Sequence, residues 1–123
     1  MKTHKDLEVW QMSIGLAKDV YELTKRYPRE ESFGLVSQMR RAAVSIASNI
    51  AEGAARNGDK EFLQFLYIAL GSASELDTQI EISRAIAVGD SEKLKGLQET
   101  TARTMMMLNG LIRSVKQSRA LDV

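Results

Sequence analysis

Seven polar side chains recur along one stretch of the chain at helical spacing: Gln38, Arg41, Ser45, Ser48, Asn49, Glu52 and Arg56. Steps of three and four residues place neighbours on one face of an α-helix, so Arg41, Ser45, Ser48 and Glu52 follow one another along a single arc. Glu52 is also four residues from Arg56, the spacing of a helical ion pair. Two chemistries are open to this arc. A hydrogen-bonded network that fixes helix register or a subunit contact would use Gln38, Arg41, Ser45, Asn49 and Glu52. A basic surface for phosphate groups would use Arg40, Arg41, Arg56 and Lys60, repeated around a symmetric oligomer. A plain solvated face is the third reading.

Covalent and metal catalysis find little material. The chain has no cysteine, and its one histidine, His4, lies close to its beginning. Thiolate nucleophiles, zinc knuckles and disulfides are therefore excluded, and neither a Ser-His-Asp triad nor a histidine-rich metal site has a rigidly held imidazole to use. Glu75, Asp77 and Glu81 do not converge on a helical wheel. The Glu-x-x-His pairs of di-iron bundles are absent, as are glycine-rich phosphate loops. A nuclease built on Glu52 and a divalent cation is the enzymatic alternative, and one carboxylate among arginines is a poor ligand set for a hard cation. The expectation is no enzyme, no cofactor and no metal.

The elements that would position these residues follow from three punctuation points: Pro28, Asn57-Gly58-Asp59 and Gly89-Asp90-Ser91. They divide 123 residues into four segments of similar length, each with helical periodicity and none with strand-like alternation. Helices are predicted over 6–26, 33–56, 59–88 and 91–117. Short connections make consecutive helices antiparallel, giving an all-α, up-down-up-down four-helix bundle in one domain spanning 1–123. Ser32, Asp59 and either Asp90 or Ser91 are the expected N-caps of the last three helices.

In the first helix Leu7, Trp10, Ile14, Ala17 and Tyr21 form one apolar stripe, and Val9, Met12, Leu16, Val20 and Leu23 form a second beside it. Together they cover about 200°, wider than one buried face requires. The second helix turns Leu35, Val36, Met39, Ala42, Ala43, Ile46, Ala47, Ile50 and Ala54 inward, and its alanines predict close helix packing. In the third, Phe62, Phe65, Leu66, Ala69, Ala73, Leu76, Ile80 and Ala87 form the main stripe. Leu63, Tyr67, Ile68 and Leu70 point elsewhere, and Gly71 is expected to permit a close approach or a bend. The fourth carries Leu94, Leu97, Thr101, Met105, Leu108, Leu111, Ile112 and Val115. This apolar surplus predicts a covering partner, with Val9, Met12, Leu16, Leu63, Tyr67, Leu70 and Met106 as the oligomer interface.

The net charge is only +1, too small for the whole chain to act as a nonspecific polyanion binder. It conceals a contrast: residues 33–58 carry Arg40, Arg41 and Arg56 against Glu52, whereas 59–88 carry five acids against Lys60 and Arg84. No apolar run approaches the ~20 residues of a membrane span, and the first residues lack the apolar core of a signal peptide. A cytoplasmic protein is the expectation.

The run from Gln38 to Gly53, QMRRAAVSIASNIAEG, resembles the signature of a bacterial family of four-helix-bundle proteins encoded within intervening sequences of 23S rRNA genes and sometimes labelled ribosomal. The resemblance extends through Asp6–Trp10 (DLEVW), Tyr21–Thr24 (YELT) before Tyr27-Pro28, Glu31–Leu35 (ESFGL), Lys60–Phe62 (KEF) and Ala69–Leu76 (ALGSASEL). It implies a ring-like homopentamer without established enzymatic activity. More distantly, the chain is similar to the accessory protein of diversity-generating retroelements, a basic pentamer that associates with a reverse transcriptase and nucleic acid. The expected function is thus a homo-oligomeric scaffold for itself and for RNA or an RNA-associated partner. A protein-interaction module with no nucleic-acid role is the alternative, and neither membrane nor small-molecule substrate is expected.

Overall fold

The computed structural model describes residues 3–121 and consists of four helices: α1 (Glu8–Thr24), α2 (Ser37–Ala54), α3 (Asp59–Ala85) and α4 (Ser91–Leu121). There is no strand among the described residues. Each helix packs against its neighbours in the chain, and α1 closes on α4. The antiparallel register of α2 and α3 shows in their contacts. Ser45 meets Ser72, and a little further along α2 Gly53 meets Phe65, which is earlier in α3. Gln98 of α4 reaches Asp77, Glu81 and Arg84 of α3, while Lys116 lies over the ring of Tyr67.

The core is the meeting line of four apolar stripes, with Leu16, Val20, Met39, Ile46, Ile50, Leu66, Leu76, Ile80, Leu94 and Leu108 almost wholly buried. The inward face expected for α2 is observed, apart from a half-buried Ala54. Buried hydroxyls do not disturb this core because each has a local acceptor. Ser13 donates to the Trp10 carbonyl at 2.7 Å, and Thr101 and Thr104 donate to carbonyls four residues earlier at 2.8 Å.

Several expectations are corrected. Of the two stripes on α1, the one containing Val9, Leu16, Val20 and Leu23 faces the core, and Ile14 and Tyr21 of the other face outward. Val9 and Leu16 are therefore core residues, not interface residues, and Leu63 is likewise buried. Met12 and Leu70 are half-buried, Leu70 against the core, which leaves Tyr67 and Met106 as the predicted interface residues that are exposed. A helical wheel with two adjacent apolar stripes cannot say which is covered by the rest of the bundle. Ala87 is also exposed, at φ 57°, in the turn after α3.

The helix ends shift too. Residues 33–36 form not the first turn of α2 but a wide π-helical turn, Ser32–Val36, that leaves helical geometry at Gly34 (φ −109°, ψ −106°). Ser32 is thus no N-cap. Asp59 is the first residue of α3, preceded by Gly58 at φ 132°, and no side chain caps it. Asp90 does cap α4, its Oδ1 accepting from the Lys93 N–H at 2.9 Å. α1 and α3 end slightly sooner than expected, and α4 continues past residue 117 to Leu121. The residues around His4 form a 3-10 turn, His4–Asp6, closed by a reciprocal cap between Thr3 and Asp6. The imidazole stands edge-on to Trp10, with ring centroids 5.0 Å apart.

Two glycines have opposite roles. A Cβ on Gly53 would lie 2.7 Å from Phe65 Cβ, 3.0 Å from Phe62 Cδ1 and 3.3 Å from the Phe62 carbonyl oxygen. The axes of α2 and α3 meet closely there only because position 53 has no side chain. Gly71, expected to allow close approach, has nothing within 4 Å of that position. At the opposite end of the bundle a polar latch joins two connections. The Ser83 hydroxyl donates to the Val88 carbonyl at 2.6 Å, so the buried Tyr27 hydroxyl is the donor in its own short hydrogen bond to Ser83 Oγ. Gly89, at φ 94°, leaves room for the tyrosine ring: its Cβ would fall 2.7 Å from the hydroxyl oxygen.

Gly53→Ala is predicted to destabilise the fold by about 1–3 kcal/mol through overpacking, whereas Gly71→Ala stabilises the chain by up to ~1 kcal/mol through helix propensity; urea titration of both variants reads the difference. Burial raises the pKa of Tyr27 above the ordinary 10.0. The folded state therefore holds this proton more tightly than the unfolded state. Its contribution is complete below pH 10.0 and declines as pH rises through the higher folded value. Chemical denaturation of the wild type should show this alkaline decline, and Tyr27→Phe should reduce it.

Candidate functional site

The polar arc of α2 stands outward between α1 and α3, because the alanine-rich opposite face fills the core. Its central members come together. Ser45 Oγ lies 2.8 Å from Ser72 Oγ, bridging α2 to α3, and Asn49 Nδ2 donates to the Ser45 carbonyl at 2.8 Å and to its hydroxyl at 2.9 Å. Beside this bridge Gln38, Arg41, Ala42, Ser45, Ser72 and Glu75 line an open groove of about 430 Å³. Arg41 and Glu75 share its walls without an ion pair between them. Behind it, Gln79 is only 3% exposed; its Nε2 donates to Glu75 Oε1 at 3.3 Å, and its carbonyl oxygen has no hydrogen-bond partner.

A second groove, of about 380 Å³, runs along the other flank of α2 and is lined by Tyr21, Arg40, Arg41, Val44 and Ser45. Arg40 is held in place here. Its Nε donates to Thr24 Oγ1 at 2.9 Å and its guanidinium lies 4.5 Å from the centre of the Tyr21 ring, a cation–π contact. Thr24 is oriented in turn by donating to the Val20 carbonyl at 2.7 Å.

Glu52 and Arg56 are not part of either groove. They sit at the far end of α2, paired at 3.0 Å as the spacing requires, with Arg56 also 5.0 Å from the centre of the Phe65 ring. Lys60 lies beyond them, exposed, in the first turn of α3. The four basic residues proposed for phosphate therefore divide into two pairs at opposite ends of α2. Within each pair one cation is engaged, Arg40 or Arg56, and one has no partner among the described residues, Arg41 or Lys60.

Residues that sequence reasoning missed are those supplied by other helices: Tyr21 and Thr24 from α1, and Ser72, Glu75 and Gln79 from α3. The run Gly71-Ser72-Ala73-Ser74 marked a departure from apolar patterning, but only the register of α3 against α2 says that Ser72 faces Ser45. Gln79 carried a usable signal. It follows Leu76 by three residues and precedes Ser83 by four, at positions facing the core. What the arrangement offers chemically is hydrogen bonding and recognition of charge. Among the described residues no group of three or more His, Asp or Glu side chains is placed to hold a metal ion, and no helix is long and apolar enough to cross a membrane.

The fold and this site define a four-helix-bundle protein whose second helix displays a mixed polar surface. The same architecture occurs in a solved protein of unknown function from the S23 ribosomal protein family of Bacteroides thetaiotaomicron VPI-5482, with a TM-score of 0.77 and 24% sequence identity over 85% of this chain and 95% of that one. No curated protein matches the chain. The model of the 23S rRNA-intervening sequence protein family matches residues 5–110, and the chain belongs to that family.

The bridge between helices should matter more than the exposed ion pair. Ser45→Ala removes partners of both Ser72 and Asn49 and is expected to cost about 1 kcal/mol. Glu52→Gln is expected to cost no more than ~0.5 kcal/mol, since exposed i,i+4 pairs contribute little. Parallel denaturant titrations test the order; a larger loss for Glu52→Gln would reverse the assignment.

Proposed function

We propose that the chain is a non-enzymatic subunit of a homo-oligomeric scaffold, and that the outward surface centred on α2 is where copies meet. The observation that carries this reading is the set of large apolar side chains left in solvent around the polar arc: Ile14 and Tyr21 of α1, Val44 of α2 and Ile68 of α3. Ile14 is seven residues from Tyr21 and therefore on its face, and Ile68 is one turn from Ser72. With Arg41, Ser45 and Glu75 between them, they make the pattern of an association surface, apolar anchors among polar groups, rather than scattered exposure. The resemblance noted in the sequence implies five copies in a ring, and the cytoplasm is the proposed location.

RNA, or a partner that carries it, is the second element of the proposal, supported by Arg41 and Lys60, which have no partner among the described residues. One subunit offers few free cations, so useful affinity for a polyanion depends on repetition around the assembly.

Sedimentation of the wild type at micromolar concentration is expected to show a stable oligomer, and Ile14→Asp with Ile68→Asp to weaken it about 100-fold or more by burying unpaired carboxylates. A wild-type monomer would overturn the proposal. If RNA is bound, the oligomer should copurify with material raising its 260 to 280 nm absorbance ratio, and retention should weaken with salt and in Arg56→Ala with Lys60→Ala. Retention unaffected by either would count against nucleic acid.

A further inference from the structure

The connection between α1 and α2 carries the most exposed large apolar side chain among the described residues. Phe33 is 99% exposed. Leaving a phenylalanine in water forgoes the favourable free energy of burying it, and here the exposure is imposed by the backbone. The next residues, Leu35 and Val36, are buried in the core, and the wide turn at Gly34 sends Phe33 the other way. The turn is held firmly. The Glu31 N–H donates to the Pro28 carbonyl at 2.9 Å, Pro28 fixes its own backbone, and Leu35 and Val36 anchor the far side. Glu30, Glu31 and Ser32 precede the ring, so the feature is a rigid projection with an aromatic tip and an acidic base.

We propose that this projection is an intersubunit hook, received by a second copy of this chain in the groove between α1 and α2 lined by Tyr21, Arg40, Arg41 and Val44. The proposal rests on the self-association proposed above and names the contact that directs it. Charge and shape select this groove. Tyr21 and Val44 give an apolar floor, and the groove's 380 Å³ is ample for a phenyl ring. Arg40 and Arg41 stand where Glu30 and Glu31 would follow the ring in. Arg40 is fixed beforehand by Thr24 and Tyr21, so little side-chain freedom is lost on binding. Arg41 has no partner to give up.

The groove is not filled by its own chain's hook, because a Phe33 seated there would not be 99% exposed. Each copy carries one hook and one groove, formed by different residues. A head-to-tail contact therefore leaves a free hook on one side and a free groove on the other, the condition for adding copies until a ring closes.

The full-length chain tests this directly. Phe33→Ala touches no packed residue, so its circular dichroism and denaturation midpoint should match the wild type while its association weakens about tenfold to a hundredfold by sedimentation. Arg40→Glu with Arg41→Glu should weaken association similarly, and adding Glu30→Arg with Glu31→Arg to that variant should restore it in large part. If Phe33→Ala associates as tightly as wild type, the hook is overturned, and dispersal by Ile14→Asp with Ile68→Asp would still uphold the wider surface. If charge exchange restores nothing, the groove is overturned as its receptor. A wild type that is monomeric removes both.

Discussion

The close approach of α2 to α3 is the constraint on which the other features depend. At Gly53 a single added carbon would collide with Phe65 and Phe62, and along the rest of α2 the inward residues Ala42, Ala43 and Ala47 keep the axes near. Small side chains on the inner face leave little width for the helix to hide its flanks. The flanks therefore emerge as grooves, with Ser45 touching Ser72 across one and Arg40 stacked on Tyr21 across the other. The polar arc follows from how the core is packed, and a larger residue at position 53 would alter the separation on which the serine bridge depends.

Helix count, order and the inward face of α2 were legible because they rest on periodicity, which is local. So was the pairing of Glu52 with Arg56, set by spacing alone. What was not legible depended on register between helices. Val9 and Leu16 differ from Ile14 and Tyr21 only in which side of α1 the bundle covers, and both stripes are equally apolar in sequence. Ser72, Glu75 and Gln79 join the site because α3 is slid against α2 by a particular amount. Phe33 escaped for another reason: residues 33–36 look like the first turn of a helix, and only the departure at Gly34 turns the ring outward.

The Tyr27 latch shows how the ends of the bundle are kept in register without charge. Its hydroxyl joins the α1–α2 connection to the α3–α4 turn through Ser83, and Gly89 makes space for the ring. Pro28 and the turn that presents Phe33 follow at once. A latch that fixes Tyr27 thus also fixes where the projection begins, so stability at this end and presentation of the aromatic tip share one cause.

No ion pair among the described residues joins the basic α2 to the acidic α3. Arg56 is matched by Glu52 and the Phe65 ring, while Arg41 shares a groove with Glu75 without pairing. From Arg40 to Ala54, the last residue of α2, is roughly 21 Å along a helix, and Arg56 and Lys60 lie beyond that end. That distance separates two tasks that would otherwise compete. If the Arg40 end takes carboxylates from a neighbouring copy, those cations are withdrawn from phosphate, and any polyanion must meet the assembly through the Arg56 and Lys60 end. Self-association then draws on one end and RNA contact on the other: substitutions at the Arg56 and Lys60 end should leave association in place, whereas loss of association at the Arg40 end also removes the repetition that RNA contact needs.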